Sequence, residues 1–216
     1  MNKDEIKAII LDQVRAAAEP VRPVVIADFP LPPGAITADL AIVEDEFIGV
    51  VVGDAADPLH GLPRRLVVLA RYFERVILVV APARLPDLDP GTLAGATVWT
   101  CDGRGRLAER LAGADNRIGL SARFDLLTVD ERRWFLEQLI VSGAIAPRGP
   151  HSVSTGRLRE LFAAALTARH GAASAAFWRA VSGRAIAPDD LTVAGRAGND
   201  DPVHPRSFIE GRRALG

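Results

Sequence analysis

Short apolar blocks separated by proline, glycine and acidic residues fill the first half of the chain, and helical stripes dominate the second. Ile6, Ile9, Ile10 and Val14 recur at helical spacing, predicting an opening helix over residues 3–18 that Pro20 and Pro23 close. Val24-Val25-Ile26-Ala27 reads as a strand, and Pro30, Pro32, Pro33 and Gly34 turn the chain back. Two further strands follow at 36–43 and 46–53, joined at Glu44-Asp45. Leu62, Leu66, Leu69 and Phe73 then repeat at four, three and four, which is one stripe of a helix. The continuous run Val76 to Val80 suits a strand buried on both faces. The order is α-β-β-β-α-β.

Beyond Pro82 a loop rich in proline and aspartate leads to Ala96–Thr100, expected as an edge strand, and to Arg106–Leu111, expected as a short helix. Asp102-Gly103-Arg104-Gly105 has only two glycines and reads as a turn, not a dinucleotide loop. Thr128 with Glu131 forms a capping box, and Trp134, Phe135 and Leu139 give the helix behind it apolar bulk up to Gly143. Leu158, Leu161, Phe162, Ala165 and Leu166 make a second stripe, and a third short helix is expected from Ala173 to Val181. Three segments result: an α/β core at 1–122, a helical region at 123–185 and an irregular tail at 186–216.

The 216 residues are 49% hydrophobic and 25% charged, ordinary for a folded domain. A net charge of −1 excludes binding of nucleic acid by bulk positive charge, which needs many phosphates neutralised together, but leaves room for a local basic groove. Of the 26 basic residues only Lys3 and Lys7 are lysines. Cys101 stands alone, so no intrachain disulfide or cysteine zinc site forms, and the reducing cytoplasm is the expected location. The absence of a long apolar stretch predicts no membrane partner. His60, His151, His170 and His204 show no metal-ligand spacing, and Trp134 and Trp178 sit in apolar helix segments that suit a core better than base stacking.

Asp39 in the first apolar run, Gly49 in Phe47–Gly53, and Asp57, Leu59, Leu62 and Pro63 ahead of the next helix form a frame that resembles the PD-(D/E)XK nuclease superfamily. The nearest likeness is to a bacterial and phage family known by the locus name sce-seven-seven-two-six, whose members read approximately Arg-x-Asp, Gly-x-Glu-Ile-Lys-Ser-Asp and Asp-Thr-Leu-x-Arg-Leu-Pro-x-Gln. The resemblance implies a restriction-endonuclease-like core, a mixed sheet in α-β-β-β-α-β order, with helices after it. It implies carboxylates that hold Mg²⁺ and a lysine that handles the attacking water. Val51 and Gly53 stand where that pattern has Glu and Lys, and Arg65 and Leu69 where its helix has Gln and Tyr.

Asp39 is the remaining candidate ligand, Asp54 a stand-in for the missing carboxylate, and Glu5 an acid that the first helix of this superfamily often turns toward the site. The competing role for Asp39 is a strand carboxylate bound to solvent or to a local arginine. Some relatives move the lysine to a neighbouring helix, where this chain has Lys3 and Lys7; Arg64 and Arg65 supply charge but not a base. Arg64, Arg71 and Arg75, read as one stripe with Arg65 beside it, either track a phosphate backbone or pair with Glu74 and nearby acids on a solvated face. The expectation is a catalytically impaired nuclease-like protein with a binding or regulatory role on DNA or a nucleoprotein complex. It has no cofactor, or Mg²⁺ if the site is active. The alternatives are an active nuclease with Asp39, Asp54 and Glu5 as rearranged ligands, or a module that binds a protein partner.

Overall fold

The computed structural model describes residues 1–18, 21–32, 34, 36–53, 59–141 and 154–195. Asp54, Asp57, Gly143 and the tail beyond 195 lie outside the described residues. Six strands form one mixed sheet in sequence order: β1 (Val24–Leu31), β2 (Ile36–Val43), β3 (Phe47–Gly53), β4 (Arg75–Val80), β5 (Thr97–Cys101) and β6 (Leu107–Leu111). The first three are an antiparallel meander, β3–β4 and β4–β5 are parallel, and β5–β6 is an antiparallel hairpin. The parallel pair β3–β4 needs a crossover, and α2 (Leu62–Tyr72) supplies it. Gly49 is required by this packing, because a Cβ there would lie 2.5 Å from Cδ2 of Phe73.

Helices cover both faces. Leu66, Leu69 and Phe73 pack with Val51, Val76 and Leu78 on one side. That core also takes in α3 (Leu120–Asp125), α4 (Val129–Val141) and the first part of α5 (Thr155–Ala180) through Ala122, Phe135, Leu161 and Phe162. On the other face α1 (Lys3–Ala17) lays Ile6, Ile10 and Leu11 against Val25, Leu40, Val50 and Val79. Phe177 and Trp178 from the end of α5, and Leu191 and Ala194 from α6 (Leu191–Gly195), complete that second core.

Helix α5 therefore passes around the β1 edge, one end in each core. At 26 residues it is about 39 Å long, enough to make the passage. On its way Ser174 Oγ accepts the Val25 N–H at 3.0 Å, and Trp178 Nε1 donates to the Pro23 carbonyl at 2.8 Å. An edge strand presents unpaired backbone groups, and here a helix side chain takes one of them. Ser174→Ala leaves the buried Val25 N–H without an acceptor and is expected to destabilise the protein by about 1–3 kcal/mol in chemical denaturation. A change of a few tenths would mean that the hydroxyl is idle.

Four expectations need correction. Residues 107–111 are a strand, not a helix, because Asp102 builds a tight turn and pairs them to β5; its carboxylate accepts the N–H of Arg104 at 2.8 Å and of Arg106 at 2.9 Å, and Gly105 adopts φ 76°. Consequently β5 is an inner strand and β6 the edge. The segments at 158–166 and 173–181 are one helix, since the alanine-rich stretch between them continues it through Gly171. Residues 186–195 are docked on β1 by Leu191 and Ala194, not irregular.

Candidate functional site

Asp39 sits where the sheet changes face. The β1–β2 ladder runs from Ala27–Leu40 to Phe29–Ala38 and skips the position between, where Asp28 lies opposite Asp39. Ala27 and Leu40 face the α1 core, whereas Phe29 and Ala38 face the α2 core. Asp28 accommodates the kink with φ 53°, a left-handed conformation that aspartate tolerates better than most side chains.

The Asp39 carboxylate is buried and its Oδ2 is doubly bonded within the protein. Its Oδ2 accepts the Val52 N–H at 2.7 Å and Arg65 Nη2 at 2.9 Å. The β2–β3 register stops at Leu40–Val50, so the side chain receives an N–H that a strand carbonyl would otherwise accept. Arg65 fixes the arrangement from α2 by also donating to the Thr37 carbonyl at 2.8 Å. The guanidinium stands where the resembled family has glutamine, and it brings a permanent positive charge to the one strand acid left.

The lysine option falls on the opposite side of the sheet. Lys7 reaches Asp28 at 2.7 Å and Asp4 at 3.1 Å from α1, which packs on the face away from α2. Burial alone would lower the Lys7 pKa, but hydrogen bonds and charge from Asp28 and Asp4 hold it above its ordinary value, so this amine is a cation and no base. Glu5 is not turned to Asp39. It caps α1, accepting the Asn2 N–H at 2.7 Å while its own N–H donates to Asn2 Oδ1.

The arginines do not form a stripe. Arg71 pairs with Asp125 at 3.2 Å and lies over the Tyr72 ring; Arg75 belongs to β4 and pairs with Glu46 at 2.9 Å and Asp115 at 3.5 Å. Only Arg64 of the four is exposed with no carboxylate partner among the described residues. Val51 is wholly buried, and a Cβ on Gly53 would meet Val80 Cγ1 at 3.0 Å, so the positions of the missing Glu and Lys are packing positions here. Among the described residues no three His, Cys, Asp or Glu side chains form a metal-binding group, and no helix is long and apolar enough to cross a membrane.

Sequence reading missed a charged node at the other end of β3. Glu74 is buried and accepts the Phe47 N–H at 2.9 Å, Arg123 Nη2 at 2.8 Å and Arg159 Nε at 2.8 Å. Burial pushes its carboxyl up, but these three donors outweigh that and hold it below the ordinary carboxylate value. Arg123 has no solvent exposure and stacks its guanidinium on the Phe162 ring, with Nε and Nη1 unpartnered. His170 is also buried with neither ring nitrogen bonded, beside Phe29.

A mixed α/β protein with a six-stranded sheet and helices on both faces is the class that the fold defines. The family model of bacteriophage P4 protein cII matches residues 1–195, and the chain belongs to that family. The phage half of the bacterial-or-phage expectation agrees with this; the nuclease resemblance finds no support in the match. No curated protein matches. Among solved structures, a protein of unknown function from Silicibacter pomeroyi, SPO1766, is similar at 12% identity and a TM-score of 0.45, over 69% of this chain and 99% of that one.

Proposed function

We propose that this phage-family protein is a nuclease-like chain that has lost catalysis and keeps a binding or regulatory role, on DNA or a nucleoprotein complex. The observation that carries the reading is the Asp39–Arg65 pair. A carboxylate that already accepts a backbone N–H and a guanidinium has its charge matched without a metal. A divalent cation on Oδ2 of Asp39 would have to displace both the Val52 N–H and Arg65. The apolar packing at Val51 and Gly53 supports the same conclusion, because the second carboxylate and the lysine have no place beside Asp39 on β3. The restriction-endonuclease-like frame is the finer reading of the mixed sheet, supported by the matching element order.

Titration of Mg²⁺ and Mn²⁺ into the purified chain is expected to give no binding heat in either the natural protein or Asp39→Ala. Cation binding that vanishes in Asp39→Ala, together with metal-dependent cleavage of DNA, would overturn the proposal and favour an active enzyme.

A further inference from the structure

We infer that the β5–β6 hairpin is the phosphate-contacting surface of this protein, with Arg104, Arg106 and Arg110 meeting a DNA backbone; the inference rests on the DNA reading above and gives it a place. The arginines first singled out on and after α2 are largely paired, whereas among the described residues no ion pair joins these three to a carboxylate, Asp102 acting on the Arg104 and Arg106 side chains through its charge alone, and all three are exposed.

Their arrangement follows from the strand. Leu107 packs toward the α1 core and Glu109 shares its face, where it accepts from Trp99 Nε1 at 3.4 Å. Alternation then places Arg106 and Ala108 on the opposite face of the open edge strand, and Arg110, unpaired at a register shift, is held to the same face by Thr100. Arg110 is steadied there by donating from Nε to Thr100 Oγ1 at 3.0 Å. Arg106 and Arg110 stand about 13 Å apart along the strand. Arg104 sits beyond them in the turn, and the Asp102 carboxylate is occupied by the backbone N–H groups of Arg104 and Arg106. One phosphate cannot be reached by all three guanidiniums, but successive phosphates of a backbone can. Arg104 lines a cavity with Glu5 and Asp12 of α1, whereas Arg106 and Arg110 stand on the face away from that helix.

The test is fluorescence anisotropy of the full chain with labelled duplex DNA. The triple variant Arg104→Gln, Arg106→Gln, Arg110→Gln should weaken binding by at least about tenfold near 50 mM salt. It should also lower the slope of log K against log salt by roughly 2–3, one phosphate contact contributing about 0.9. Arg71→Gln with Arg75→Gln should leave affinity within about twofold of the natural protein. Should loss of the Thr100 contact impair folding of the triple variant, Arg104→Gln with Arg106→Gln alone keeps the comparison open and should reduce the slope by about 2. Binding that ignores the hairpin variants overturns this surface and leaves the DNA reading standing. A natural protein that fails to bind DNA even at low salt overturns both.

Discussion

Glu74→Gln is expected to lower the unfolding free energy by about 3–5 kcal/mol, the usual result of removing one partner from a buried ion pair. The substitution keeps the shape of the side chain but leaves the Arg123 guanidinium, wholly buried and already short of two partners, facing a neutral amide. It also loosens the tie between the start of β3, α3 and α5, since Phe47, Arg123 and Arg159 all converge on this one carboxylate. Urea denaturation measures the loss, and a cost below 1 kcal/mol would show that Arg123 finds solvent or another acceptor. Combining Glu74→Leu with Arg123→Met should recover part of the stability, because an apolar pair of similar volume avoids the desolvation of both charges while the Phe47 N–H loses its acceptor. In acid the contribution of Glu74 follows from its lowered pKa: it is complete above the unfolded value near 4.5 and is lost only as pH falls through the lower folded value.

His170 produces a second effect in a different pH window. Burial first, and the neighbouring Arg169 charge second, push its pKa from 6.5 down to about 4. The folded state therefore keeps the ring neutral while the unfolded chain takes up a proton, so stability falls as pH drops from about 6.5 to 4 and then levels off. The slope approaches about 1.4 kcal/mol per pH unit and the whole loss about 3 kcal/mol. His170→Leu removes the titrating group and the two unbonded nitrogens together, and should flatten the dependence across this window. If the leucine variant keeps the same slope, the proton is taken up elsewhere.

The core strands were legible because their residues leave little choice. Val76 to Val80 is β-branched or leucine throughout, and the Leu62, Leu66, Leu69 spacing permits one buried helix face, so β4 and α2 were placed within a residue or two. Residues 107–111 were misread because leucine, alanine, glutamate and arginine are all good helix formers. Their state is decided by the Asp102 turn and by pairing with β5, contacts that a local pattern does not carry. The helix expected from Ala173 joins the one before it because the alanines around Gly171 continue the helix. For the site, the competing role of Asp39 as a carboxylate held by a local arginine was readable, but the particular partner, Arg65, depends on how α2 crosses the sheet. Glu74, between Phe73 and Arg75, reads from the sequence as an acid on a solvated face. The only hints of its burial were the apolar residues on either side and an arginine, Arg123, between Ala122 and Phe124.

The passage of α5 around β1 also sets a limit on growth. A sheet with two accessible edges is a template that copies of itself extend without end, as fibres do. In this protein α5 and α6 pack along β1 and Ser174 takes its Val25 N–H, so among the described elements the open edge is β6. A sheet that grows from one side is finished by the first copy it meets, since each chain brings its own sealed margin to the outside. Strand addition thus terminates at a closed pair, and the chain is protected from polymerising through its own sheet.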